Sequence, residues 1–152
     1  MPNRYTIRRF HSTDMERILE IERASFGKDA YDRKLFAEYQ RRCGALFLLA
    51  EGEGRVDGYS IVCVCERKSS LVASLESIAV TPRARGKGAA SSLLKSTIRR
   101  LKLRGVGRIT LIVRNSNAIA LRFYQRRGFA AVRRAPGYYQ DGEEGLVMRL
   151  ML

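Results

Sequence analysis

The stretch that most limits what this chain can fold into is "SIAVTPRARGKGAASSLL", residues 77–94. A hydrophobic strand meets a proline and two spaced glycines, then opens directly into a helical pattern. Ala90, Leu93, Leu94, Thr97, Ile98 and Leu101 recur at helical spacing, with Lys95, Arg99 and Lys102 on the other face. Gly105 is placed to stop that helix. "RITLIV", residues 108–113, follows as a continuous apolar strand, the pattern of one buried on both faces. Strand, helix and strand make a βαβ unit, whose crossover is expected to be right-handed.

The turn inside this unit has chemical character. A helix N-terminus leaves backbone N–H groups unpaired and carries a partial positive charge. Gly86 and Gly88 allow a ligand close to that backbone, and Arg83, Arg85 and Lys87 add charge. The physical expectation is a pyrophosphate site, against the alternative of a plain tight turn.

The rest of the chain supplies further strands and helices. "YTIRRF" reads as a short first strand. "STDMERILEIERASF" reads as a helix capped by Ser12 or Thr13, with Met15, Ile18, Leu19, Ile21 and Phe26 apolar. "YDRKLFAEYQRR" is a second short helix. "ALFLLAE" and "RVDGYSIVCVCE" form a hairpin around "GEG", and "LVASLESIAV" is the next strand. After the βαβ unit, "SNAIALRFYQRR" is a helix ending at Gly128. "FAAVRRA" and "EGLVMRLML" are closing strands around "PGYYQDGEE". A chain of 152 residues is expected to form one domain, residues 1–152. The class is α/β, with a mixed central sheet of about seven strands flanked by about four helices.

Composition narrows the setting. No apolar run approaches the ~20 residues of a membrane span, and "MPNRYTIRRF" has no apolar core of a secretion signal. A cytoplasmic protein without a membrane partner is expected. The cysteines are Cys43, Cys63 and Cys65, an odd count without framework spacing. Cys63 and Cys65 share one side of a strand, readable as a metal or redox pair or as small core residues. The single histidine, His11, leaves zinc few ligands, so core residues and no metal are expected. The formal charge of +14 attracts anions such as nucleotide cofactors, acidic peptides and RNA, and disfavours polycationic substrates such as polyamines.

"RGKGAA" fits the (Q/R)-x-x-G-x-(G/A) pattern of the GNAT acetyltransferases through Arg85, Gly88 and Ala90. "VRNSNAIALRFYQRRGF" resembles that family's second signature, an asparagine seven residues before a tyrosine on a helix ending in Gly-Phe. "GYYQDG" is similar to the loop between the last two strands in its N-terminal acetyltransferase branch. The closest resemblance is to the ribosomal-protein-alanine N-acetyltransferases and their archaeal relatives. The resemblance implies a GNAT fold with acetyl-CoA as acetyl donor. Its pyrophosphate would rest on the backbone amides of Arg85, Gly86, Lys87, Gly88, Ala89 and Ala90. Its pantetheine arm would pair with the strand at Ile78, Ala79 and Val80, and Asn117 would contact it. Tyr124 would stand near the sulfur.

Acetyl transfer to an amine needs a neutral nucleophile and a proton for the leaving thiolate. A phenol of pKa ~10 can supply that proton, which makes Tyr124 the candidate acid; its alternative is a core aromatic beside Phe123. The ribosomal-protein enzymes carry a glutamate on the strand before the Asn–Tyr signature, and Ile112 stands there instead. Glu76, the only charged residue in "LVASLESIAV", is the candidate substitute base; its alternative is an outward surface charge. An α-amine of pKa ~8 is about a tenth neutral at pH 7, whereas lysine near ~10.4 is neutral about one part in 2,500. A displaced base therefore favours an N-terminal acceptor. Tyr138 and Tyr139 resemble tyrosines lining the peptide entrance, with Phe26 and Tyr31 as candidates for the opposite wall.

The leading expectation is acetylation of a protein or peptide N-terminus, with a ribosome or RNA nearby to match the charge. The alternatives are acetylation of aminoacyl-tRNA, and a non-catalytic acetyl-CoA-binding module that recognises RNA or ribosomes.

Overall fold

In a computed structural model the chain is described over residues 4–152. Its elements are β1 (Thr6–Arg9), α1 (Met15–Phe26), α2 (Arg33–Cys43), β2 (Phe47–Gly52), β3 (Arg55–Arg67), β4 (Ser70–Val80), α3 (Ala89–Leu103), β5 (Arg108–Arg114), α4 (Ala118–Gln125), β6 (Ala130–Ala135) and β7 (Gly145–Met151). Short 3-10 turns link several of them. The expected seven strands and four helices are present. The strands form one mixed sheet in the order β1-β2-β3-β4-β5-β7-β6. The β4–β5 pair is parallel, as the βαβ reading requires.

Two compact units make up the chain, the first from residues up to Cys63 plus Glu76–Leu103, the second from Val64–Leu75 plus Arg104–Leu152. β3 and β4 each contribute to both.

In the first unit β2 is the strand covered on both faces. Phe47 and Leu49 point into a core with Ile18, Ile21 and Phe36 of α1 and α2, together with Tyr59 and Ala79. Leu48 and Ala50 point the other way, to Ala89 and Leu93 of α3. The alternation along one strand thus feeds two helical layers. Gly58 allows β3 to lie close to β4: a Cβ there would meet the Ala79 carbonyl oxygen at 3.0 Å.

In the second unit β7 pairs with β5 along its whole length, Arg108 with Met151 through Arg114 with Gly145. β5 departs from the sequence expectation. Its burial alternates, with Ile109, Leu111 and Val113 buried and the intervening residues half-covered, so only one face is fully packed. Hydrophobic continuity overstated its burial because Ile112 is apolar on the less covered side.

Two local expectations also change. Ser12 and Thr13 do not cap α1 but lie in a 3-10 turn, Ser12–Asp14. There the Asp14 carboxylate accepts the His11 N–H at 2.9 Å and pairs with Arg8 at 2.9 Å. Cys43 and Cys63, expected as separate small core residues, form a disulfide. It ties the end of α2 to β3, with Cα atoms 5.1 Å apart and a sequence separation of 20. Cys65 is free and exposed.

A crosslink of this span is worth about 3 kcal/mol through the unfolded chain. Cys43→Ser is expected to lower the unfolding free energy by about that amount in oxidised protein and by much less under reductant. Denaturant titrations with and without reductant measure this. Equal losses in both would place the effect in packing instead.

Candidate active site

In the first unit the site is built on the end of β4 and the turn that follows. On its β5 side, β4 is paired at Ala73 with Ile109 and at Ser74 with Thr110. Ile78 and Val80 send their side chains toward the α3 layer and Ala79 toward the α1–α2 layer. The strand is thus anchored by side chains on both faces.

The turn passes through a 3-10 segment, Pro82–Ala84, to two glycines with positive φ, Gly86 at 77° and Gly88 at 93°. Both conformations are ones that residues with a Cβ rarely adopt. A Cβ at either glycine would have no atom within 4 Å, so the surroundings are open. The Ser92 N–H bonds the Gly88 carbonyl at 2.9 Å, which opens α3. The amides of Ala89 and Ala90 therefore lack an intrahelical acceptor. Arg85 and Lys87 are exposed beside them. This arrangement fits a pyrophosphate: open space, free amides, a helix N-terminus and two cations.

Glu76 lies half-buried on β4, two residues before Ile78. Burial, and to a lesser extent the Glu76 charge, raises the hydroxyl pKa of Tyr31 in the α1–α2 connection and of Tyr39 on α2. The Tyr31 hydroxyl donates to the Glu76 carbonyl oxygen at 3.3 Å. Phe26, at the end of α1, is 41% exposed.

In the second unit Tyr124 is buried on α4, its ring edge-on to Phe123 and Phe129. Burial, and then the neighbouring Tyr139, push its hydroxyl well above the ordinary value of 10.0. Tyr138 is largely exposed and Tyr139 half-buried, with their rings edge-to-face at 5.0 Å. Their loop is held tightly. The Tyr139 N–H donates to the Glu143 carbonyl at 3.2 Å, and the Gly142 N–H to the Tyr139 carbonyl at 2.8 Å. The Arg114 guanidinium stacks on the Tyr139 ring at 4.1 Å and pairs with Asp141 at 2.8 Å and Glu143 at 2.9 Å. Glu143 also accepts the Ser116 N–H at 2.9 Å, joining the loop to the start of α4.

Asn117 caps α4: its Oδ1 accepts the Ala120 N–H at 3.1 Å. The side-chain oxygen is thus engaged within the chain. Ile112 is half-covered, and a Cβ at Gly145 would meet its Cγ2 at 2.8 Å. Among the described residues no group of three or more His, Cys, Asp or Glu is arranged to hold a metal. None of their helices is long and apolar enough to cross a membrane.

The model of the acetyltransferase (GNAT) family matches residues 14–129, from the start of α1 through Phe129. The chain belongs to the GNAT acetyltransferase family. An uncharacterised N-acetyltransferase of Methanocaldococcus jannaschii is 34% identical over 143 residues, covering 93% of this chain and 88% of its own. An N-alpha-acetyltransferase of Sulfurisphaera tokodaii is 30% identical, covering 95% of this chain and 91% of its own. The crystal structure of the ribosomal-protein-S18-alanine N-acetyltransferase of Escherichia coli superimposes with a TM-score of 0.83 at 30% identity. That match covers 97% of this chain and 93% of that one. This GNAT protein is an N-acetyltransferase.

Sequence reasoning found the GNAT turn, the helix tyrosine and the tyrosine loop. It missed Arg114, which orders that loop from β5, and Glu22, which organises the α1–α2 connection. Arg114 had one visible signal, a lone cation at the end of an apolar strand with "DGEE" further on. Glu22 had none, because an acid within "EIERAS" reads as surface.

Gly88→Ala is expected to strain the turn by about 1 kcal/mol and to weaken acetyl-CoA binding, since the amides it aims would shift. Calorimetric titration against unfolding data separates the two effects. Unchanged affinity in a folded variant would remove this turn from the cofactor site.

Proposed function

We propose that this enzyme transfers the acetyl group of acetyl-CoA to the α-amino group of a protein or peptide N-terminus. In this reading residues 1–152 act as one acetyltransferase domain in the cytoplasm. The observation that carries it is the Tyr138–Tyr139 pair, held rigid by Arg114. Tyr139 lies close enough to Tyr124 to shift its titration. Two adjacent rings, one exposed and one next to the candidate acid, suit a peptide end whose backbone meets a flat wall. The N-alpha-acetyltransferase and ribosomal-protein-alanine relatives support the same acceptor class.

The amides around Gly86, Gly88, Ala89 and Ala90, with Arg85 and Lys87, would hold the pyrophosphate. The backbone of Ile78, Ala79 and Val80 would hold the pantetheine arm. When bound, acetyl-CoA supplies an acyl group activated as a thioester. Glu76 takes a proton from the acceptor nitrogen as the N–C bond forms. Tyr124 gives its phenol proton to the departing sulfur as the C–S bond breaks, and both groups reset by exchange with solvent. A raised pKa suits this role, because the hydroxyl stays protonated through the alkaline range where the amine is neutral. An α-amine asks little of the base, which fits a chain with Ile112 where the resemblance to the ribosomal-protein enzymes implies a glutamate.

Tyr124→Phe is expected to lower kcat by about a hundredfold with acetyl-CoA affinity unchanged. Glu76→Gln is expected to lower kcat, most strongly below the pKa of the amine. In the native enzyme kcat should rise with the neutral amine and show no fall from Tyr124 below pH ~10. Coenzyme A release, with peptides bearing free N-termini and blocked lysines set against the reverse set, measures all three. Turnover on the lysine set alone would overturn the acceptor assignment.

A second feature concerns where the acceptor is met. From Ser77 to Gln140 the chain carries fifteen Lys and Arg and no Asp or Glu, whereas the remainder is close to neutral. Within that stretch, Arg114 and Arg134 alone make ion pairs among the described residues. Lys95, Arg99 and Lys102 line the exposed face of α3 without an acidic neighbour one turn away. This surface supports an anionic setting such as a ribosome or RNA, including an aminoacyl-tRNA as acceptor. Association with ribosomes is expected to fall steeply between low and physiological salt, and to weaken in a Lys95→Ala, Arg99→Ala, Lys102→Ala variant. Co-sedimentation across a salt series measures it, and salt-independent association would count against these cations.

A further inference from the structure

Two carboxylates are buried among the described residues, Asp57 and Glu22. Asp57 faces Arg17 at 3.6 Å and Arg55 at 3.9 Å. Glu22, 1% exposed near the end of α1, pairs with no cation among the described residues. Hydrogen bonds alone hold it. One oxygen accepts the backbone N–H of Tyr31 at 2.8 Å, and the other accepts the Tyr59 hydroxyl. The Tyr59 hydroxyl also meets Ser77 Oγ at 2.8 Å. Tyr31 in turn donates from its own hydroxyl to the Glu76 carbonyl. One carboxylate thus joins α1, the α1–α2 connection, β3 and β4. Burial raises its pKa, and the two hydrogen bonds offset only part of that rise.

A carboxylate without a counter-ion is a costly way to fill a core, and an apolar side chain of similar size would fill it more cheaply. An apolar side chain would not hold the Tyr31 amide. The connection from Phe26 to Tyr31 includes Gly27 at φ 53° and one internal turn bond, Ala30 N–H to the Gly27 carbonyl at 3.1 Å. Glu22 is the anchor that joins this connection to β3 and, through Ser77, to β4.

We propose that Glu22 is a positioning residue for the acceptor. It fixes the Phe26–Tyr31 wall through the Tyr31 amide, and registers that wall on the strand carrying Glu76 through Tyr59 and Ser77. This rests on the N-terminal-acceptor reading above. It concerns the acceptor half of the reaction alone, because none of these groups belongs to the turn that would hold acetyl-CoA.

The test compares Glu22→Leu, Glu22→Gln and Tyr59→Phe by two readouts. With a free N-terminal peptide, Glu22→Leu should raise the peptide KM about tenfold while the acetyl-CoA KM moves less than about twofold. Glu22→Gln, whose amide oxygen still accepts from Tyr31, should recover most of that loss. Tyr59→Phe, which keeps the ring, should give the same split at smaller amplitude. Hydrogen exchange of the residue 27–32 amides should quicken about tenfold in Glu22→Leu and little in Glu22→Gln. Exchange decides the anchor even if the enzyme proves inactive on free N-termini, an outcome that would sink the acceptor reading and not the anchor. Parallel rises in both KM values, or unchanged exchange and KM in Glu22→Leu, would overturn the proposal. Should Glu22→Leu fail to fold, Tyr59→Phe decides: no change in exchange or in the KM ratio overturns it.

Discussion

The first unit depends on strands gripped from both faces. Phe47 and Leu49 of β2 face the α1–α2 core and Leu48 and Ala50 face α3, and the end of β4 is held in the same two layers by Ala79 on one side and by Ile78 and Val80 on the other. Its backbone is thereby fixed by its side chains. Gly86 and Gly88 carry the chain into α3 through conformations that leave helix amides pointing at open space. A strand end held by its side chains, followed by a turn of unpaired helix amides, suits a long ligand with a phosphate-rich end.

Charge and rigidity are divided differently. The turn that would take phosphate is open and cationic, whereas the tyrosine loop is closed on itself by Arg114, Asp141 and Glu143. Exposed ion pairs usually contribute little to stability. Here one guanidinium stacks on a ring, pairs with two carboxylates and leaves Glu143 to hold a backbone amide, so the cluster sets geometry more than it adds energy.

Much of this was legible in the sequence, for identifiable reasons. The βαβ unit announces itself by a change of hydrophobic period, and the glycine turn by backbone conformations that few other residues adopt. Tyr124 could be placed by its spacing from Asn117. Asn117 also has a local role that the motif does not record: its side-chain oxygen caps α4. β5 was read as doubly buried because apolar character on a strand does not reveal which face is covered. The Cys43–Cys63 bond and the Glu22 cluster were illegible because their partners come from separate elements and no local pattern records the contact. A buried carboxylate bonded to a tyrosine 37 residues away looks, in one dimension, like any surface glutamate.

The meeting of Gly145 and Ile112 has a consequence for how this chain can change. Since a Cβ at residue 145 would lie 2.8 Å from Ile112 Cγ2, any larger residue there requires Ile112 to move or shrink. The branched side chain at residue 112 and the missing one at residue 145 are therefore one structural decision recorded at two positions. Residue 112 can be exchanged while residue 145 stays glycine, since no side chain from residue 145 stands against it. Residue 145 cannot be enlarged first. The order of substitutions open to this strand pair is thus set by a steric ratchet that works in one direction.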